Sequence, residues 1–381
     1  MENIVYFDNA ATTFPKPECV YTAMDQFART CGVSIGRGQH SLSSKAAFVA
    51  DETRELLQDL FHSSNKKVVF TNTATEALNI IIRGMNIPKG ANVYISPFEH
   101  NAVTRTLHYL KKQHDFQIIQ LACNKNTYEI DVDKIETQFK ENKPFCVIVS
   151  HVSNVVGAVA PIERIFETAK KFGAITIADM CQSAGLIDIN ISSTDFDYVV
   201  FAGHKTLYGP LGISGFITAF PQELPPLIIG GTGFDSANQD MPDDIPVKYE
   251  AGSHNSTAIA GLNASLKWLL DIGINNIYKV ELQHYDQLGN LLKRYENIKL
   301  YLPENGIGVI SCNFEGYGSS EIGQVISKKI AIRSGLHCAP LAHKFIDTFP
   351  SGTVRFSISY FNTDSDFEVL KEMLDYIEEN S

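Results

Sequence analysis

Short apolar runs that end on a polar or ionisable residue, most of them followed by a helical pattern, recur from the N-terminus to about residue 205 of this 381-residue chain. Val68-Val69-Phe70 runs into Thr71 to Asn79, which opens a helix. Asn92 to Ser96 reaches Glu99-His100 ahead of a helix over 103–114, and Pro144 to His151 leads to Ser153-Asn154. Ala174 to Asp179 ends on an acid, and Tyr198-Val199-Val200-Phe201 ends in Ala202-Gly203-His204-Lys205. Strand and helix alternating in this way predict an α/β fold, a mostly parallel sheet with helices on both faces. Ligand sites in such sheets lie outside the carboxyl ends of the strands. Thr75, His100, Asn154, Asp179, Gln182, His204 and Lys205 all fall there, and loop solvation alone does not account for so many coincidences.

Other segments extend this reading. Helical spacing is expected over 18–29, 44–61 and 163–172, and Ile118 to Leu121 is a further strand. From Gly230 to Ser256 the alternation breaks into Gly-, Asn- and Asp-rich segments that read as functional loops. A helix over 257–270 and another over 275–294 follow. Strands are then expected near 299–302, 308–314, 331 and 354–359, and helices near 319–328 and 364–379. The expected organisation is a large domain over 14–260, a smaller α+β domain over 261–381, and an N-terminal arm over 1–13.

Composition narrows the function classes. A net charge of −11, from 43 acidic and 32 basic side chains, argues against nucleic acid as a principal partner. No apolar run is long enough to suggest a transmembrane helix. MENIVYFDNAATT lacks the basic, apolar and small-residue order of a signal peptide, so a cytoplasmic location is expected. The seven cysteines are scattered without a C-x-x-C pair, which predicts reduced thiols and no zinc or other metal site.

Each candidate residue carries two readings. Lys205, at the mouth of a buried strand, is either a solvated lysine or a desolvated amine able to form a Schiff base. Taken alone, that stretch favours solvation. The Thr71–Asn79 stretch is either an ordinary helix capped by Thr73 or Thr75, or an anion site built from free N–H groups and the helix dipole. Cys338, in RSGLHCAP, is either a buried loop cysteine or a nucleophilic thiol beside a histidine. Arg355, in TVRFS, is either half of a surface ion pair or a bidentate clamp on a carboxylate.

Taken in order, DNAATT, TATEALN, EHNAV, HVSNVVGAV, ADMCQ, GHKTLYGPLGISG, YEAGSHN, RSGLHCAP and TVRFS-x-x-x-FNT span nearly the whole chain. Together they resemble the class V aminotransferase group of fold-type I pyridoxal 5'-phosphate (PLP) enzymes. Within it they resemble the SUF-type, group II cysteine desulfurases, whose pattern selenocysteine lyases share. The resemblance implies PLP as cofactor and L-cysteine or L-selenocysteine as substrate. It makes Lys205 the Schiff-base lysine and proton shuttle, and Asp179 the partner of the pyridinium nitrogen. His100 stacks on the ring, Gln182 bonds the ring hydroxyl oxygen, and Asn154 bonds that oxygen or the substrate. Ala74, Thr75 and His204 hold the phosphate, and Ser253 reaches the phosphate of a neighbouring subunit in a homodimer. Arg355 holds the substrate carboxylate. Cys338 takes the substrate sulfur as a persulfide and hands it to an acceptor protein. Ala202, where relatives carry a hydroxyl residue, Met180-Cys181 in place of a smaller pair, Asn101 and Leu336 depart from the family pattern.

Overall fold

In the computed structural model, residues 4–36, 38–220, 222–234 and 236–380 are described. The strands are β1 (Val5–Tyr6), β2 (Lys67–Thr71), β3 (Asn92–Ile95), β4 (Gln117–Gln120), β5 (Pro144–Ser150), β6 (Ile175–Asp179), β7 (Tyr198–Ala202), β8 (Ser214–Thr218), β9 (Ile298–Tyr301), β10 (Val309–Phe314), β11 (Ile330–Ala331), β12 (Arg333–Gly335) and β13 (Thr353–Ser357). The helices are α1 (Glu18–Cys31), α2 (Ser41–Leu60), α3 (Ala74–Gly84), α4 (Asn101–Lys111), α5 (Val132–Glu141), α6 (Ile162–Lys171), α7 (Ser256–Ile272), α8 (Ile274–Leu292), α9 (Ser319–Ile326), α10 (Pro340–Phe345) and α11 (Asp364–Glu379).

Seven strands form the main sheet in the order β2-β8-β7-β6-β5-β3-β4. All pairings are parallel except those of β8, which runs antiparallel to β2 and β7. Alternate residues of each strand enter opposite cores. Val68, Phe70, Val147, Val149, Val199 and Phe201 pack with α2, α5, α6 and α7. Val69, Val93, Ile148, Ile177, Val200 and Phe216 pack with α3 and α4. Burial on both faces is why these strands read as unbroken apolar runs and not as alternating ones.

A second sheet, β12-β13-β10-β9, is antiparallel and packs against α8, α9 and α11. Phe7 of the N-terminal segment is buried in that core, and β1 pairs with β11. The expected division at residue 260 falls inside α7, whose buried side chains belong to the main sheet's core. Gly273, with a φ of +87°, breaks α7 from α8, and the change of packing partner comes within α8, where Ile277 still lies in the main sheet's core and Tyr285 and Leu288 lie in that of the second sheet.

Several elements depart from the sequence reading. The segment after Gly212 looks like the tail of a glycine loop, yet Ser214–Thr218 is the antiparallel strand β8. Its Gly215 stands where a Cβ would lie 2.2 Å from Val69 O, so packing between two strands selects glycine here. Helices α5 and α10 lie where the sequence pattern predicts no helix. The latter begins on Pro340 at its first turn, inside a stretch that reads as loop.

Candidate active site

The carboxyl ends of β2, β3, β5, β6 and β7 open onto one cavity of about 230 Å3, lined by Thr73, Ala74, Thr75, His100, Asn154, Asp179, Gln182, His204 and Lys205 among others. At the β2 end, Thr73 caps α3. Its Oγ1 accepts from Glu76 N at 3.1 Å, while Glu76 Oε2 accepts from Asn72 N at 3.0 Å. Thr75 therefore lies inside the first turn, and the N–H groups of Ala74 and Thr75 have no carbonyl within the helix to accept them.

His100 caps α4, its Nδ1 accepting from Ala102 N at 3.0 Å. Burial lowers its pKa to about 4, helped by the neighbouring Lys205 cation, so the imidazole is neutral at pH 7. Asp179, the last residue of β6, is 6% exposed and its Oδ1 accepts from Cys181 N at 3.0 Å. Lys205 is half-buried and borders the cavity. Burial pushes its ammonium pKa down; Cys181 and Asp179 oppose the shift, and Arg355 and Arg333 add to it. Burial also lowers His204 to about 4, and its enclosed Nδ1 has no partner among the described residues.

The DNAATT segment locks this end of the sheet. Thr13 N donates to His204 O at 3.0 Å and Thr13 Oγ1 to Lys205 O at 2.9 Å. Gln182 Nε2 donates to Ala10 O at 2.9 Å. Asn154 Nδ2 donates to His337 O at 2.7 Å. Both amide side chains are thus anchored in protein while still bordering the cavity.

Cys338 borders an adjoining cavity of about 460 Å3 that shares Thr75, His100 and Ala102 with the first. His337 and Cys338 have φ of 47° and 57°, the left-handed region that side chains avoid, at a cost of about 1–3 kcal/mol each. Surrounding bonds hold them there. Besides Asn154, Asn101 N donates to Cys338 O at 2.7 Å and His337 Nε2 lies 2.9 Å from Thr353 Oγ1. Arg333 Nη2 donates to Cys338 Sγ at 3.0 Å.

Arg355 is 1% exposed, so the surface ion pair considered for it fails. Its Nη2 pairs with Asp8 Oδ1 at 2.8 Å and its Nη1 donates to Asn154 O at 3.0 Å. It borders neither of these cavities. Ser253 is exposed and also borders neither. Sequence reasoning missed Arg333 and Asp8. Both lie inside quoted motifs, but only tertiary contact sets Arg333 on Cys338 and Asp8 on Arg355.

An amine and a carboxylate in one enclosed cavity, a helix mouth with free N–H groups and an unpartnered His204 nitrogen suit a phosphorylated pyridine aldehyde. Fold and site together define a PLP-dependent enzyme of fold type I. In keeping with this, the family model for class-V aminotransferases matches residues 5–370. The chain belongs to the class-V aminotransferase family.

A probable cysteine desulfurase of Methanothermobacter thermautotrophicus is 31% identical over 98% of this chain and 94% of its own length. A cysteine desulfurase of Shigella sonnei is 29% identical over 96% of this chain and 91% of its own. Among solved structures, the apo cysteine desulfurase of Thermococcus onnurineus superposes with a TM-score of 0.91, at 27% identity, over 99% of this chain and 95% of that one. Relatives and structural neighbours are thus cysteine desulfurases, and their family is PLP-dependent.

Proposed function

We propose that this protein is a PLP-dependent cysteine desulfurase that converts L-cysteine to L-alanine and leaves the sulfur on Cys338. The observation that carries the proposal is the pairing of two adjoining cavities. One holds Lys205 and Asp179, and the next holds Cys338, with His100 in the wall they share.

Ala74, Thr75 and His204 would hold the phosphate, Asp179 the ring nitrogen, Gln182 the ring oxygen and His100 the ring face. Bound PLP supplies an electron sink for the bonds broken at the substrate's α and β carbons. Lys205, whose ammonium pKa burial pushes down, takes the α-proton and returns it. Asn154 and Arg355 would orient the amino acid by its carboxylate. Cys338 Sγ attacks the substrate sulfur. The substrate C–S bond breaks, an S–S bond forms, and the β-carbon gains a proton, so cysteine and thiol become alanine and a persulfide without an outside oxidant. The Arg333 donor at Sγ steadies negative charge on that sulfur. A homodimer completed by Ser253, an acceptor protein, service to iron–sulfur cluster assembly and a cytoplasmic site of action belong to the same proposal; among the described residues no helix is long and apolar enough to cross a membrane.

The test is to measure alanine and sulfide, or selenide, released by the PLP-loaded protein from L-cysteine and L-selenocysteine. Cys338→Ala is expected to abolish alanine formation from L-cysteine, and full retention would sink the persulfide route. Lys205→Ala is expected to remove the lysine-bound cofactor absorbance and turnover together. Retained turnover would remove the PLP assignment. A strong preference for L-selenocysteine, with Cys338 dispensable, would make the protein a selenocysteine lyase instead.

A further inference from the structure

Arg355 has a resident counter-ion. Its Nη2 lies 2.8 Å from Asp8 Oδ1, and its buried Nε has no partner among the described residues. Across the β12–β13 ladder it stands directly opposite Arg333, so two guanidinium side chains share one face. Like charges placed opposite each other in a ladder repel. Among the described residues, Asp8 is the sole carboxylate paired with either arginine. Asp8 is also held in place. Next to it, Asn9 Nδ2 donates to Ser357 O and Ala10 N to Ser357 Oγ, both at 2.9 Å, and Thr12 Oγ1 donates to His204 O at 3.1 Å. On its other side Phe7 N donates to Ala331 O at 2.9 Å, so the backbone that carries the Asp8 carboxylate is fixed beside Arg355.

We propose that Asp8 sets the affinity of the enzyme for carboxylates, as a built-in anion with which the amino acid must share Arg355. This rests on the reading that Arg355 receives the substrate carboxylate. The Asp8–Arg355 pair is neutral. A substrate carboxylate added beside it meets the guanidinium N–H donors left over, Nε–H among them, and, at the same time, the repulsion of Asp8 in a poorly screened site. The physical use of this is release. L-Alanine carries the same carboxylate as L-cysteine, so a grip on that group that is too strong would hold product as tightly as substrate and add nothing to the chemical step. Asp8 weakens the grip while its hydrogen bond keeps Arg355 aimed.

Asp8→Asn keeps an oxygen acceptor for Arg355 and removes the charge. In the PLP-loaded enzyme, L-alanine binding is read from the cofactor absorbance, and KM and kcat from L-cysteine turnover. Removing the charge is expected to tighten L-alanine binding and lower the KM for L-cysteine by about threefold or more, with no rise in kcat. Binding of 2-aminoethanethiol, which has no carboxylate, is expected to stay unchanged. If Asp8→Asn does not fold, Asp8→Ser removes the same charge and is read the same way. L-Alanine affinity that is unchanged or weaker in the charge-removing variant overturns the proposal, as does equal tightening of 2-aminoethanethiol. Arg355→Lys separates the two layers. If it weakens L-alanine binding while Asp8→Asn does nothing, Asp8 alone is misassigned. If it leaves L-alanine binding intact, the carboxylate role of Arg355 fails first and takes this proposal with it.

Discussion

Glu99 shows how much of the site is set by residues that never face the cavity. It is fully buried beside His100, with Oε1 accepting from Ser96 Oγ and from Ser150 N, each at 2.6 Å, and Oε2 accepting from Ser150 Oγ at 3.0 Å. Burial raises its pKa to about 8 despite these bonds. The folded protein therefore keeps a proton that the unfolded chain, with an ordinary value of 4.5, has released. Stability contributed by Glu99 falls as pH rises through that window. Glu99→Gln should remove the slope, so the Tm gain of the variant over wild type should grow between pH about 4.5 and 8. A constant offset across that range would refute this account. At Ala202, buried in the cavity wall, the chain lacks the hydroxyl that its resemblance to the family leads one to expect. Restoring it in Ala202→Ser should tighten PLP binding by about fivefold, the equivalent of roughly one hydrogen bond. Equilibrium dialysis of PLP against both proteins would measure it, and equal affinities would show that the phosphate makes no use of a hydroxyl there.

At the scale of elements, the site depends on how two strands and one helix end. Strand β8 is wedged between β2 and β7, and Gly215 lets Val69 O and the Phe201 ring close on it. Gly215→Ala should cost about 1–3 kcal/mol through overpacking, read as a lower denaturant midpoint with an unchanged m-value. No loss of stability would mean that β2 and β8 can separate freely. The start of α3 depends on Thr73, which caps Glu76 N. Thr73→Ala should lower stability by about 1 kcal/mol and weaken PLP binding together, because the fraying turn carries the N–H groups offered to the phosphate. Loss of stability with intact PLP affinity would separate the cap from the anion site.

At the scale of the whole molecule, burial of neutral histidines should govern acid stability. His100, His151, His204 and His343 are all lowered from 6.5 to about 4, chiefly by burial. Between those values the unfolded chain binds more protons than the folded one, so the stability they contribute is present above pH 6.5 and is lost as pH falls toward 4. The Tm of PLP-free protein should drop steeply across this range, and a flat profile would contradict the burial of these rings as uncharged groups.

The parallel sheet and the place of the site follow from local residue pattern alone. Doubly buried strands must be apolar along their length, and the polar residue that ends each one marks the face where ligands bind. Lys205, Asp179, His100 and Thr75 were legible for that reason: each is adjacent in sequence to the strand that positions it. β8 was not legible, because its glycine answers to two neighbouring strands and not to its own propensity. Nor was the burial of Arg355, or the contacts of Asp8 and Arg333. Asp8 and Arg355 lie 347 residues apart, and no local pattern records a pairing at that separation. Only the folded chain, by closing its N-terminal segment onto the second sheet, decided which carboxylate the buried arginine meets and which guanidinium the thiol meets.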